Sequence, residues 1–228
     1  MRPRLCRMVH DALAGGHPAP CIADVMRAVE CFHKASLVHD DIQDGDTERY
    51  GLPAVHVEHG IPVAIAVGDW LVAEGYGLLA SCGAPRSAEM LAAAAESHRQ
   101  LSEGQGDELV LRMKGAAPSP EELLSIYRRK TGEAFALAAR LGAIAALPAD
   151  DPRSAEIERG TVRFGLAFGV VFQMRDDLAD GEAVLRRAHF DAAASECLAA
   201  ADALPELAAA LRRFAEGLCG FKKEGAAV

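Results

Sequence analysis

The stretch HKASLVHDDIQD, residues 33–44, ends a long apolar segment on a cluster of aspartates, and FQMRDDLAD, residues 172–180, does the same further along the chain. On a helix, Asp40 and Asp44 stand about 6 Å apart along the axis and about 40° apart around it, so both carboxylates project from one face. Asp176 and Asp180 repeat that geometry, while Asp41 and Asp177 each extend the acidic rim by one residue. An acid at a helix C-terminus meets the negative end of the helix dipole, at a cost of about 0.3–1 kcal/mol. Two carboxylates about 6 Å apart repel by roughly 3 kcal/mol at an effective dielectric of about 20. A cation reverses both terms. Oxygen donors without cysteine or histidine at ligand spacing point to Mg²⁺, which keeps several waters and bridges one or two carboxylates to a phosphate. A solvated acidic helix end accounts for one such cluster more readily than for two at the ends of apolar helices.

Outward from the first cluster, Ile22 to Asp44 places Val25, Val29, Phe32, Ser36 and Val38 near one stripe, with Glu30, Lys34 and Asp41 elsewhere around the cylinder, the pattern of one buried helix ending in acids. Breakers bracket the other helices: GGHPAP at 15–20, GLP at 51–53, CGAP at 82–85, GAAPSP at 115–120 and LPADDP at 147–152. Ser119, Pro120 and Glu122 form a capping box that opens a helix expected to run from Pro120 to Leu147. Segments 60–81, 86–113 and 154–180 carry little charge on one or more faces and are expected to sit centrally in a bundle. Two short helices are expected around 188–200 and 204–218. No linker or repeat divides the chain, so residues 1–228 are expected to form one domain.

Half of the 228 residues are hydrophobic and only 5% aromatic, enough for a core and suited to helices rather than strands, which gives an all-α fold. A formal charge of −9 speaks against a nucleic-acid surface. The six cysteines show no CxxC pair, as expected of idle thiols in a reducing compartment. No membrane span or export signal is legible, and a cytoplasmic chain is expected.

Five separated motifs carry a resemblance: HKASLVHDDIQD at 33–44, Gly68 with Asp69, Gly104 with Gln105, Lys130 with Thr131, and FQMRDD at 172–177. In this order, within the first 180 residues of the chain, they resemble the trans-isoprenyl diphosphate synthases, or polyprenyl synthetases. The resemblance implies the isoprenoid synthase fold, an antiparallel helix bundle around a deep apolar cavity with the two aspartate motifs facing each other at its mouth. It implies Mg²⁺, three ions with substrate bound, held on an allylic prenyl diphosphate by Asp40, Asp44 and Asp176, with Asp41, Asp177 and Asp180 as further candidate ligands. Arg49 and Lys130 are implied to contact that diphosphate, and Thr131 is a further implied substrate contact. Gln173 is either a helix-packing amide or a polar contact to the diphosphate or cation. His39 reads more readily as a packing residue than as a ligand. Such sites stabilise the charge that accumulates on departing pyrophosphate, and an apolar cavity shields the cation left behind. A homodimer is expected by the same resemblance.

The family's second site, for isopentenyl diphosphate, is matched only in part. Arg2 and His33 match two of its residues, but relatives carry Gly-Lys upstream of where this chain begins, and the family's Arg-Arg-Gly reads Arg49, Tyr50, Gly51. A phenol supplies no charge, and a lost charge-assisted contact costs about 1.5–3 kcal/mol. The chain is expected to be short at both ends relative to the family. The leading expectation is a prenyltransferase that extends an allylic diphosphate with isopentenyl diphosphate. The alternatives are a terpene synthase-like lyase acting on a ready-made prenyl diphosphate, and a non-catalytic partner subunit of an active synthase. Small side chains at Ala35 and Ser36 leave the space before the first motif open, which suits a prenyl chain of about C20 or longer, with Phe32 and Val29 as deeper floors.

Overall fold

A computed structural model describes residues 1–115, 117–180, 185 and 187–219, with the side chains of residues 178–180, 218 and 219 outside the description. The helices are α1 (Arg2–Leu13), α2 (Ile22–Asp44), α3 (Val55–His59), α4 (Ile61–Ser81), α5 (Ser87–Lys114), α6 (Pro120–Tyr127), α7 (Glu133–Ala146), α8 (Ser154–Asp180), α9 (Arg187–Asp202) and α10 (Ala208–Cys219). A two-residue hairpin, β1 (Glu48–Arg49) with β2 (Leu52–Pro53), is the one sheet among the described residues. The all-α expectation holds.

The capping box forms as expected: Glu122 N–H donates to Ser119 Oγ at 3.2 Å and Ser119 N–H to Glu122 Oε2 at 2.8 Å. The helix it opens is not uniform. Arg128–Gly132 is a π-helical turn between α6 and α7, and it carries Lys130 and Thr131. A π-turn inserts a residue into the helical ladder and re-aims the side chains on it, a distortion that apolar periodicity does not encode.

The central helix is α7, buried at Phe135 to Ala139 and again at Leu141 to Ile144. Phe135, Ala139 and Ala143 pack into one core with Phe164, Phe168 and Val171 of α8, and Leu137, Ala138 and Leu141 into a second with Val25, Val29 and Phe32 of α2. Its alanines and Gly142 let neighbours approach on all sides.

The expectation that 60–81 lies centrally is corrected. In α4 only Ala64, Gly68, Gly75 and Leu79 are buried, all toward α2, whereas Ile61, Val63, Ile65 and Trp70 are exposed. A groove of about 490 Å³ lined by Pro62, Val63, Ala66, Val67 and Trp70 runs along that outer side. Low charge reports that a face is apolar and does not say whether another element of the chain packs on it. Among the described residues α4 is also long and apolar enough, by length and composition, to cross a membrane, although it bears Asp69 and Glu74 and packs along α2.

The motif glycines mark close approaches. A Cβ at Gly68 would stand 2.2 Å from His39 Nε2, and one at Gly104 would stand 2.7 Å from Arg129 Cβ and 2.9 Å from Lys130 N. Gly68 therefore seats α4 against the end of α2, and Gly104 lets α5 cross the π-turn. α2 and α5 run in the same direction, linked by ring contact between Phe32 and His98 at one level and by Arg112 with Asp44 at a higher one.

Candidate active site

Gly45 ends α2 in the left-handed conformation, φ +74°, and turns the chain toward the hairpin. Tyr50 and Gly51, with φ of +56° and +76°, form its two-residue turn, both in the left-handed region that such a turn requires. The hairpin folds Arg49 back onto α2. Its Nε donates to Asp41 Oδ1 at 2.7 Å and its Nη2 to Asp46 Oδ2 at 2.9 Å. Asp41 is thus 3% exposed and held by a guanidinium, so it does not extend an acidic rim as the spacing suggested.

Asp40 and Asp44 stay on the open face. Burial pushes the Asp40 carboxyl up to about 6; Asp44 and Glu108 add to this and Lys130 opposes it. Asp44 accepts from Arg112 Nη1 at 2.9 Å and lies 3.9 Å from Lys130 Nζ. Lys130 Nζ donates to Glu108 Oε2 at 2.6 Å. The π-turn therefore delivers Lys130 among the acids of α2 and α5.

On its other side the same turn reaches α8. Thr131 Oγ1 donates to Gln173 Oε1 at 2.8 Å, Gln173 Nε2 donates to Asp177 Oδ1 at 2.9 Å, and Tyr127 OH donates to Asp177 Oδ2. Gln173 is therefore hydrogen-bonded at both ends of its amide. Asp177, like Asp41, serves the protein's own donors. Asp176 is half-buried, and Arg2 feels the negative charge of both Asp40 and Asp176, so the ends of α2 and α8 act on one guanidinium. The Asp180 side chain lies outside the described residues.

Arg2 and His33 come together: Arg2 Nη1 lies 3.0 and 3.1 Å from the two ring nitrogens of His33, and the guanidinium sits 4.7 Å over the Phe135 ring. Burial, then the charge of Arg2, lowers the His33 imidazole to about 3, so it is neutral and accepts from Arg2. Tyr50 is 74% exposed, with Lys34 Nζ 5.0 Å over its ring. His39 Nε2 lies 3.5 Å from Asp69 Oδ1, which accounts for Gly68 and Asp69 as a packing and orienting pair for the residue beside Asp40.

Glu108 and Arg112 were not singled out from the sequence. Their legible signal is a charged face, Glu108 followed one turn later by Arg112, on a helix whose glycine motif was already marked. As cation donors, Asp40, Asp44 and Glu108 offer hard oxygens alone, which suits Mg²⁺. Among the described residues no three acids or histidines converge closely enough to cage an ion unaided. Mg²⁺ commonly takes one or two carboxylates and completes its shell with phosphate oxygens and water. Burial, with the charges of Asp44 and Glu108, raises the Asp40 carboxyl, and a cation at these oxygens would favour its ionised form.

A family model described as Polyprenyl synthetase matches residues 1–185. Among curated proteins, the chain is 34% identical over 154 residues to a short chain isoprenyl diphosphate synthase of Methanocaldococcus jannaschii, covering 67% of this chain and 45% of that protein. It is 35% identical over 196 residues to a geranylfarnesyl diphosphate synthase of Natronomonas pharaonis, covering 79% of this chain and 56% of that one. The chain thus spans about half the length of the curated relatives it matches. In fold it resembles a geranyltransferase of Helicobacter pylori, with a TM-score of 0.83, 22% identity and coverage of 95% and 82% of the two chains. It also resembles a FPP/GFPP synthase of Zymomonas mobilis, with a TM-score of 0.81, 24% identity and coverage of 96% and 82%. With the acids of α2, the π-turn lysine and the polar end of α8 assembled in one place, and a family match reaching from the first residue past the second aspartate cluster, this chain belongs to the polyprenyl synthetase family.

Proposed function

We propose that this chain is an Mg²⁺-dependent trans-prenyltransferase that ionises an allylic prenyl diphosphate and joins it to isopentenyl diphosphate, giving a polyprenyl diphosphate of about C20 or longer. The observation that carries this reading is the meeting of Asp40, Asp44, Glu108 and Lys130 at the end of α2, coupled through Thr131 to Gln173 and Asp177 on α8. When bound, Mg²⁺ supplies positive charge to the departing pyrophosphate. Lys130 holds Glu108 and lies near Asp44 in the resting site and exchanges these partners for the diphosphate. Arg49, paired with Asp41 and Asp46, adds its positive charge beside Asp40. Thr131 fixes the Gln173 amide, and Arg2 with neutral His33 presents a donor surface to the second diphosphate. Names among the relatives, such as the geranylfarnesyl diphosphate synthase of Natronomonas pharaonis, support the substrate class.

Chain length is read from below the acids. Ala35 is buried and Ser36 exposed, while Phe32, two turns or about 12 Å beneath Asp40, meets Tyr76 and His98 at 5.2 and 4.6 Å between ring centroids. This supports a floor at Phe32. The exposed apolar side of α4 supports a homodimer in which a second copy covers it. A cytoplasmic location fits the five free cysteines among the described residues.

Tyr50 favours a second reading, a lyase that acts on a prenyl diphosphate alone, because the acceptor side lacks that arginine's charge. Purified protein incubated with Mg²⁺ and labelled allylic diphosphate, with and without isopentenyl diphosphate, separates the two. Elongation is expected, with Asp40→Ala and Asp176→Ala each lowering kcat by orders of magnitude at unchanged helical content. A hydrocarbon or alcohol formed without acceptor would establish the lyase, and full activity in EDTA would remove the metal mechanism.

A further inference from the structure

We infer that Gln105 is a further catalytic residue of this site, whose carboxamide oxygen stabilises the allylic cation formed when the diphosphate departs. The inference rests on the prenyl diphosphate reading above and adds to it a residue that no contact described so far employs. Gln105 is 9% exposed, and both its Oε1 and Nε2 are buried without a hydrogen-bond partner. A buried amide with neither end satisfied destabilises a fold, and leucine would fill the same volume without that penalty. Such a residue needs a reason to be polar.

Its place on α5 supplies one. Gln105 lies seven residues after His98 and seven before Arg112, and seven residues bring a helix to within about 20° of the same direction. His98 points at Phe32 and accepts or donates at 2.8 Å with Tyr76 OH. Arg112 points at Asp44. Gln105 therefore faces α2 about 10 Å above the aromatic floor and about 10 Å below the Asp44 contact. Glu108, one turn above it, is already at Lys130. The amide stands at the boundary where the ionic groups end and the hydrocarbon begins.

A diphosphate held by the acids would bring its allylic carbons to this level. As the C1–O bond breaks, its electron pair leaves with pyrophosphate and positive charge spreads over C1 and C3. The π pair of isopentenyl diphosphate then forms the new bond to C1, and the proton lost from the acceptor passes to pyrophosphate. A carboxamide oxygen carries partial negative charge without net charge. It lowers the energy of the cation while competing with neither the metal nor the diphosphate, and its benefit appears only as charge develops.

The test compares wild type with Gln105→Leu and Gln105→Asn. Gln105→Leu is expected to lower kcat roughly 10- to 100-fold with KM for the allylic diphosphate within about 2-fold, while its thermal midpoint is unchanged or higher. A second measurement reads binding alone. With Mg²⁺ and inorganic pyrophosphate, a prenyl trialkylammonium ion that mimics the cation should bind wild type about 10-fold more tightly than Gln105→Leu, with Gln105→Asn between them. Unchanged kcat and ammonium affinity in Gln105→Leu would overturn the proposal, as would losses accompanied by a lowered thermal midpoint, which mark a structural amide. Wild type that releases no pyrophosphate from geranyl, farnesyl or geranylgeranyl diphosphate would sink the prenyl diphosphate reading instead, and the ammonium comparison would still decide the case of Gln105.

Discussion

Replacing Asp40 by Asn should stabilise the metal-free protein while destroying its turnover, and the size of the gain follows from the site. The Asp40 carboxyl is raised from 3.8 to about 6, chiefly by burial. At 1.36 kcal/mol per tenfold change in proton affinity, keeping it ionised at pH 7 costs the fold at most about 3 kcal/mol. Residual solvent contact reduces this to about 1–2 kcal/mol. Between about pH 4 and 6 the folded chain retains a proton that the unfolded chain has released, so this contribution makes stability fall as pH rises through that window and level off above it. Asp40→Asn lacks the step. Urea unfolding of both proteins in EDTA should therefore give a small difference at pH 4.5 and the full advantage of the mutant at pH 7. Adding Mg²⁺ with pyrophosphate at pH 7 should stabilise wild type more than the mutant, because ligand binding to the folded state repays the ionised carboxylate. A difference independent of pH would refute the argument, since an ordinary packing change has no reason to titrate between 4 and 6.

The acceptor side offers a second perturbation. Tyr50→Arg places a guanidinium at an exposed turn position that already tolerates φ +56°, and KM for isopentenyl diphosphate should fall about 10-fold for one charge-assisted contact near 1.5 kcal/mol, with KM for the allylic substrate unchanged. A wild type with ordinary acceptor affinity and no gain in the mutant would show that the acceptor contacts lie elsewhere. Ser36→Phe, at an exposed position one turn below Asp40 on α2, should shorten the longest product seen by chromatography; an unchanged product range would place the floor away from this face.

On the proposed function, the resting charges give metal and diphosphate a reason to bind together. Arg49 is spent on Asp41 and Asp46, Arg112 on Asp44, and Lys130 on Glu108. A cation alone must displace Lys130 and Arg112 from their carboxylates, and a diphosphate alone must approach those same carboxylates. On the proposed function the two arriving together would satisfy both sets, the ion held by the acids and the freed lysine facing the phosphate. Each ligand would then remove the obstacle to the other, and the affinity of each should depend on the presence of its partner.

How far this was legible in the chain depends on what each signal measures. Helix boundaries followed from Gly, Pro and capping residues because those act within a few residues of themselves, and Ser119 with Glu122 behaves as its spacing requires. The grouping of Asp40 with Asp44 followed from helical geometry. Burial was less accessible: α4 and α7 both lack charge over long stretches, yet α7 is enclosed and α4 stands at the edge, because composition reports that a face is apolar and not which surface covers it. The π-turn at Arg128–Gly132 left no periodic trace, and so the distribution of Lys130 to the acids and Thr131 to Gln173 was not derivable from spacing on an ideal helix. Asp41 was misplaced for a related reason. Its neighbours on the helix put it on the acidic rim, but a hairpin turn through Tyr50 and Gly51 brings Arg49 back to cover it, and an interaction between residues eight apart through a reversed chain lies beyond any helical rule. Gln105 is the converse case. The motif around it was visible, but its meaning depends on an absence, two amide atoms without partners between an aromatic floor and an ionic ceiling, and only the packed structure can reveal what a side chain fails to touch.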